Sequence, residues 1–274
     1  MDPISAALEM GRALLLTAGL AKAETGETVY FAGGKEDGPV IVLVHGVNDQ
    51  AGSWAAVAKK LAKDYRLIIP DLPGHGSSGP QEGPIGLPMI VESLHEVIEK
   101  EGATKVTLVG NSMGAWVSMM YLLDHPDRVE RLVIESGGGL AITPGVNLTA
   151  TNREEAVTVL RAVHGPEAVI TDASIDAMLK LSKESPFLRV LASNVIPHFL
   201  DHRIGEIDVP TTILWGEHDG VVLRPYVDKL EAGIPGATVR IIKGAGHIPH
   251  AQQPARFLEG LKEALKLNAS PAIH

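Results

Sequence analysis

A serine held between two glycines is the best-placed nucleophile in this chain. The β-branched, apolar run Lys105-Val106-Thr107-Leu108-Val109 leads into Gly110-Asn111-Ser112-Met113-Gly114, and a helical pattern follows from Met113 to Asp124. Ser112 therefore stands where a strand turns into a helix, in the G-x-S-x-G spacing. So sharp a turn strains the serine backbone, and glycines at 110 and 114 remove the Cβ atoms that would strike the adjoining strand and helix. The helix N-terminus behind Ser112 favours negative charge that develops beside it.

A serine hydroxyl needs a general base, and the base needs an orienting acid. Pro210 to Trp215 reads as a buried strand running into the polar turn Gly216-Glu217-His218-Asp219, which puts Asp219 just past the strand end. Glu217 in the same turn is a rival acid. Thr238 to Ile242 reads as one more strand, and Lys243-Gly244-Ala245-Gly246-His247 follows it, so His247 lies in a loop after the last strand. Ser112, Asp219 and His247 thus come in chain order, each beyond the C-terminal end of a strand. That is an arrangement for acyl transfer.

With these motifs the chain resembles the α/β-hydrolase superfamily along nearly its whole length. Val44-His45-Gly46-Val47 is similar to the family's His-Gly oxyanion loop, and Asp71-Leu72-Pro73-Gly74-His75-Gly76-Ser77-Ser78 to its Asp-x-x-Gly-x-Gly-x-Ser loop. Gly110 to Gly114 matches the nucleophile turn, Gly216 to Asp219 the acid loop and Gly246-His247 the histidine loop. The resemblance implies Ser112 as nucleophile, His247 as base and Asp219 as acid. It also implies an oxyanion hole made by the backbone N–H groups of Val47 and Met113. A serine nucleophile argues against the branches that attack with a carboxylate.

The activity this implies is hydrolysis of a carboxylic ester with an apolar, short- to medium-chain acyl group, with a small acyl substrate and water as the partners expected. Hydrolysis of a carbon–carbon bond in a β-diketone-like substrate is the alternative, because Gly-Asn-Ser-Met-Gly resembles the turn of that branch too. Against it, His45-Gly46-Val47-Asn48-Asp49 lacks that branch's Gly-rich continuation, and Ile248 stands where an aromatic neighbour of the histidine is often found. Lactonase, amidase and perhydrolase activities are related readings. A ligand receptor on the same scaffold is the non-enzymatic one, and an intact Ser–Asp–His set disfavours it.

The elements needed to position these groups are visible as alternation. Seven short apolar runs read as strands: Thr28 to Ala32, Val40 to Val44, Leu67 to Ile69, Val106 to Val109, Leu132 to Ile134, Thr212 to Trp215 and Val239 to Ile242. Helical patterns lie between them at Ser53 to Lys63, Leu87 to Glu101, Met113 to Asp124 and Leu223 to Glu231, and Phe257 to Leu267 closes the chain. This predicts an α/β class: an α/β-hydrolase fold with a mostly parallel sheet flanked by helices. The alternation fails after Gly137-Gly138-Gly139, and no strand returns before Pro210. A structureless loop of roughly 70 residues is improbable, so a helical cap over residues 137–205 is expected, inserted into a core of residues 1–136 and 206–274. Phe187, Phe199 and Ile248 are candidates for the substrate pocket wall.

Composition bounds the partners. A chain of 274 residues suffices for one large α/β domain with an insertion, and 45% hydrophobic with 21% charged residues fits a globular protein. A net charge of −9 disfavours nucleic acid and anionic membrane surfaces. There is no cysteine, so thiolate chemistry, disulfides and cysteine metal sites are excluded. No cofactor is expected and no metal: His247 and His250 have H-x-x-H spacing, but Pro249 lies between them and no glutamate completes a zinc motif. Residues 1–22 read as an amphipathic helix on the body. Ala13 to Ala23 has a faint signal-peptide character without a basic flank, so a cytoplasmic location is expected, with secretion or a periplasmic location left open. No run reaches membrane-spanning length, and nothing assigns an oligomeric state.

Overall fold

Strand side chains alternate between two faces, and this sequence supplies apolar residues for both. In Val40–Val44 (β3), Ile41 and Leu43 enter one core while Val42 and Val44 enter another. The computed structural model describes residues 3–183 and 185–266. The other strands are Leu20–Thr25 (β1), Thr28–Gly34 (β2), Arg66–Pro70 (β4), Val106–Asn111 (β5), Val129–Glu135 (β6), Thr211–Gly216 (β7) and Thr238–Ile242 (β8). They form an eight-stranded sheet in the order β1-β2-β4-β3-β5-β6-β7-β8. β1 and β2 are antiparallel, β2 also runs against β4, and the remaining pairs are parallel.

Helices cover both faces, because parallel strands require crossovers. They are Pro3–Thr17 (α1), Ala55–Leu61 (α2), Leu87–Lys100 (α3), Met113–Asp124 (α4), Arg153–His164 (α5), Asp172–Lys183 (α6), Pro186–Leu191 (α7), Arg224–Gly233 (α8), Pro249–Gln252 (α9) and Pro254–Ala264 (α10). One core gathers α3, α4 and α8 over Val42, Leu108, Ile134 and Ile213. The other gathers α1, α2 and α10 over Ile41, Val109, Val133 and Leu214. A buried aliphatic side chain contributes about 2 kcal/mol, so two full layers account for fully buried central strands such as β5.

Two findings correct the expectation for the N-terminus. The helix ends at Thr17, not near residue 22, and Leu20–Thr25 is an edge strand paired with β2. The strand was hidden because its exposed positions Lys22 and Glu24 carry charge and only Leu20 is buried. Helix α1 is held by Leu15, fully buried, and by Arg12, which pairs with the buried carboxylate of Asp71. At Gly11 the helix lies so close to the chain at Gly52 that a Cβ would come within 2.2 Å of the Gly52 carbonyl oxygen. Among the described residues no helix is long and apolar enough to cross a membrane.

Between β6 and β7 lies the helical insertion. Helices α5 and α6 share a small core of their own, built on Ala156, Val159, Leu160, Ile175 and Met178. It is joined to the sheet edge by backbone hydrogen bonds rather than by a strand. The N–H of His247 donates to the Val163 carbonyl at 2.8 Å, and that of Gly220 to the Ala162 carbonyl at 2.9 Å.

Candidate active site

Ser112 occupies a backbone conformation that side chains rarely adopt, with φ 53° and ψ −116°, between the end of β5 and the first turn of α4. Its neighbours explain how the turn closes. A Cβ on Gly110 would lie 2.4 Å from the Gly114 carbonyl oxygen, and one on Gly114 would lie 2.2 Å from that of Val44. Only glycine lets strand and helix approach this closely. The strain is held in place by hydrogen bonds: the Ser112 N–H donates to the Glu135 carbonyl and its carbonyl accepts from the Gly138 N–H, both at 2.9 Å.

The chain after β3 passes directly over the serine. A Cβ on Gly46 would lie 3.1 Å from Ser112 Cβ, so Val47 begins beside the nucleophile. Met113 is the first residue of α4, whose leading N–H groups have no acceptor within the helix. The loop is shaped by His45. Its Nε2 accepts from the Leu72 N–H at 2.9 Å, which leaves the hydrogen on Nδ1 to donate to the Gly46 carbonyl at 2.7 Å. Burial pushes His45 down to about 4, and burial beside it pushes His75 down to about 3. Both are therefore neutral loop-shaping residues rather than bases near neutral pH. Asn48, in a left-handed conformation with φ 62°, accepts from Ser185 Oγ at 2.7 Å and from the Phe187 N–H at 3.1 Å, which joins this loop to the insertion.

His247 Nδ1 lies 3.0 Å from Asp219 Oδ2 and 3.1 Å from Oδ1. The Asp219 side chain is 1% exposed and its Oδ1 also accepts the N–H groups of Val221 and Val222, which fixes the carboxylate. Glu217 points away and binds the Gly244 N–H at 2.9 Å. The histidine loop fits because Gly216 and Gly246 carry no side chain; a Cβ on Gly216 would lie 1.8 Å from the Gly246 carbonyl oxygen. Asn111 Nδ2 then donates to the His247 carbonyl at 3.0 Å, tying the histidine loop to the serine turn.

Ser112, Val47 and His247 border one cavity of about 580 Å³. Ile248 also borders it. Phe187 and Phe199, expected on its wall, lie elsewhere. Phe199 stacks on Trp116, ring centroids 5.1 Å apart, and extends the core beneath the insertion, while Phe187 begins α7, with its N–H donating to Asn48. The wall is instead made by Leu148, Val159, Leu160 and Met178 of the insertion and by Met10 and Leu14 of α1. Helical spacing marks Val159 and Leu160 as apolar-face residues, but not which space that face meets. His164, at the end of α5, also borders the cavity; burial, then the proximity of His247, lowers its pKa.

Residues 41–259 match the model of the Alpha/beta hydrolase family. The chain belongs to that family. Relatives of this α/β hydrolase include a 2-hydroxy-6-oxononadienedioate/2-hydroxy-6-oxononatrienedioate hydrolase of Klebsiella pneumoniae, 29% identical over 78% of this chain and 81% of that protein. Esterase YbfF of Escherichia coli is 25% identical over 82% of this chain and 92% of its own length. Among solved structures, a bacterial membrane phospholipase A superposes with a TM-score of 0.81 at 21% identity, covering 97% of this chain and 93% of that one, a likeness of fold. The hydrolase relatives thus include both an esterase and a hydrolase of an oxo-dienedioate.

Proposed function

We propose that this α/β hydrolase cleaves carboxylic esters of an uncharged, apolar acyl group through Ser112, His247 and Asp219. The observation that carries the reading is the strained Ser112 facing the same apolar cavity as His247, whose other ring edge is held by Asp219. With Nδ1 turned to Asp219, Nε2 is the nitrogen left to take the Ser112 proton as Oγ attacks the acyl carbon. The carboxylate fixes that tautomer and stabilises the imidazolium that forms. The Val47 and Met113 N–H groups receive the oxyanion, and such a donor is worth about 3 kcal/mol in the transition state. His247 returns the proton to the leaving alcohol, then activates water to release the acyl group from Ser112. Residues 137–205 act as a cap that walls the acyl site.

The cavity lining favours this over a dienedioate substrate. No lysine or arginine among the described residues lines it, while Asp49 does, so a dicarboxylate would find no cation to replace its water. Each methylene buried against such a wall gains about 0.8 kcal/mol. A panel of p-nitrophenyl esters from acetate to palmitate tests the reading. kcat/KM should climb with chain length and then fall once the cavity is full. Feeble turnover of every ester, beside rapid cleavage of a vinylogous β-diketone, would replace it with the carbon–carbon reading.

A further inference from the structure

The acid and base loops rest on the end of a cap helix. An α-helix leaves its last four carbonyls without partners inside the helix. In α5 these belong to Arg161, Ala162, Val163 and His164. The Ala162 carbonyl accepts the N–H of Gly220, the residue after Asp219, at 2.9 Å, and the Val163 carbonyl accepts that of His247 itself at 2.8 Å. Both loops carry glycine where the helix end meets them. A Cβ on Gly220 would lie 2.8 Å from Ala162 Cα, and one on Gly246 would lie 2.3 Å from the Val163 carbonyl oxygen. The same helix borders the cavity with Val159 and Leu160.

Gln252, the last residue of α9, closes this junction with its side chain. Its Oε1 accepts the Gly246 N–H at 2.6 Å, and its Nε2 donates to the Val163 carbonyl at 3.0 Å. The amide takes only this orientation, since one neighbour is an N–H and the other a carbonyl. The second hydrogen on Nε2 goes to His164 Nδ1, 3.2 Å away. A ring nitrogen that accepts carries no hydrogen, so His164 has its hydrogen on Nε2 and is uncharged. Burial, then His247 beside it, lowers its pKa in the same sense. A second cation there would oppose the imidazolium of His247. Gln253 makes a contrast. Its Nε2 donates to the Gly244 carbonyl of the same loop at 3.2 Å, but among the described residues it makes no hydrogen bond to α5.

We propose that Gln252 is a positioning residue: it locks the His247 loop to the last turn of α5, so that the base takes its place only against a seated cap. The inference rests on the ester reading, with His247 as base. Nothing in that chemistry touches Gln252, yet the residue before His247 and the carbonyl that holds the His247 N–H are both fixed by it. His247 serves both halves of the reaction. A displaced base therefore slows acylation and deacylation together, whatever the acyl chain. A residue that merely shaped the acyl wall would act on long chains and through KM.

Ester kinetics separate the two roles. Gln252→Met keeps the length of the side chain and removes its bonds to Gly246, Val163 and His164. With p-nitrophenyl acetate and octanoate alike, kcat should fall at least about tenfold while KM stays within about twofold, in protein that urea unfolding shows to be folded. Gln253→Met should leave kcat at the parent value. A smaller fall, a fall confined to octanoate, a rise in KM in its place, or an equal fall in Gln253→Met would overturn the proposal. Gln252→Leu makes the same comparison if the methionine variant does not fold. Failure of the ester reading shows separately, as absent ester turnover by the unsubstituted enzyme.

Discussion

His247 and His250 are close in the chain, each bound through Nδ1 to a carboxylate at the end of a strand, yet they face different surroundings. His247 is 8% exposed and borders the cavity with Ser112, whereas His250 is wholly buried, sandwiched against Trp54 with Glu135 behind it. The pair chemistry is the same; access and neighbours differ. A turn around Gly246, where the chain passes the Val163 carbonyl, brings His247 to the cavity. The short helix α9 then carries His250 back to Glu135 at the end of β6. The two histidines share an H-x-x-H spacing, which Pro249 between them argued against as a metal motif. The structure separates them, with a carboxylate for each.

Replacing either partner of the two pairs should break them in different ways, and the largest effect on activity belongs to the one that borders the cavity. Ser112→Ala and His247→Ala are each expected to lower ester kcat by about 10⁴-fold or more with the fold intact, and the double variant to lose little further, because the residues act as a unit. His250→Ala should instead lose stability, about 3–5 kcal/mol for breaking a buried pair, read as a lower urea midpoint. A His250→Ala protein as stable as the parent but as inactive as His247→Ala would reverse the assignment of the two histidines.

Asp219→Asn comes next. It favours the wrong tautomer of His247 and should cut kcat by about 10³–10⁴-fold, while Glu217→Gln should change it less than about threefold, since Glu217 touches only the Gly244 N–H and the edge of His218. Steady-state kinetics on the two variants decides between the acids. Smaller again is the oxyanion loop. Val47→Pro removes an N–H and should lower kcat by about 10²–10³-fold, with Val47→Ala near the parent. Equal effects of the two substitutions would take the Val47 amide out of the hole.

The smallest effect concerns stability in acid. His45 and His75 are held neutral in the fold, at about 4 and about 3, by burial. An unfolded histidine titrates near 6.5, so below that pH the unfolded chain binds more protons and stability falls as pH drops. Stability is complete above about pH 6.5 and is lost down to the folded values. At pH 5 the loss is about 2 kcal/mol for each histidine, and His45→Asn should flatten the slope of urea stability against pH between about 6.5 and 4. An unchanged slope would mean that His45 is not buried neutral.

Much of the sheet was legible because buried parallel strands are continuous apolar runs, and β5, β6 and β7 were found where expected. Strand β1 was missed, since an edge strand with charged outward positions has no such run. Ser112, Asp219 and His247 were legible through glycine spacing, because each needs a turn only glycine permits. Asp219 was preferred to Glu217 from its place in the acid loop, and the structure sets its carboxylate, not that of Glu217, against His247. The cavity wall was the least legible part. Phe187 and Phe199 were chosen for size, but a large aromatic serves a core equally well, and Phe199 found Trp116. Met10 and Leu14 come from a helix at the opposite end of the chain, and no local pattern announces that contact.

The most direct test of Ser112 as an acyl-accepting nucleophile is intact-protein mass spectrometry after rapid mixing with p-nitrophenyl octanoate, followed by peptide mapping. The expected result is a stoichiometric burst of p-nitrophenol with one octanoyl group on the peptide carrying Ser112, and accumulation of that adduct in His247→Ala only at a greatly reduced rate. Steady ester turnover with no adduct on Ser112, or an adduct on another residue, would contradict it.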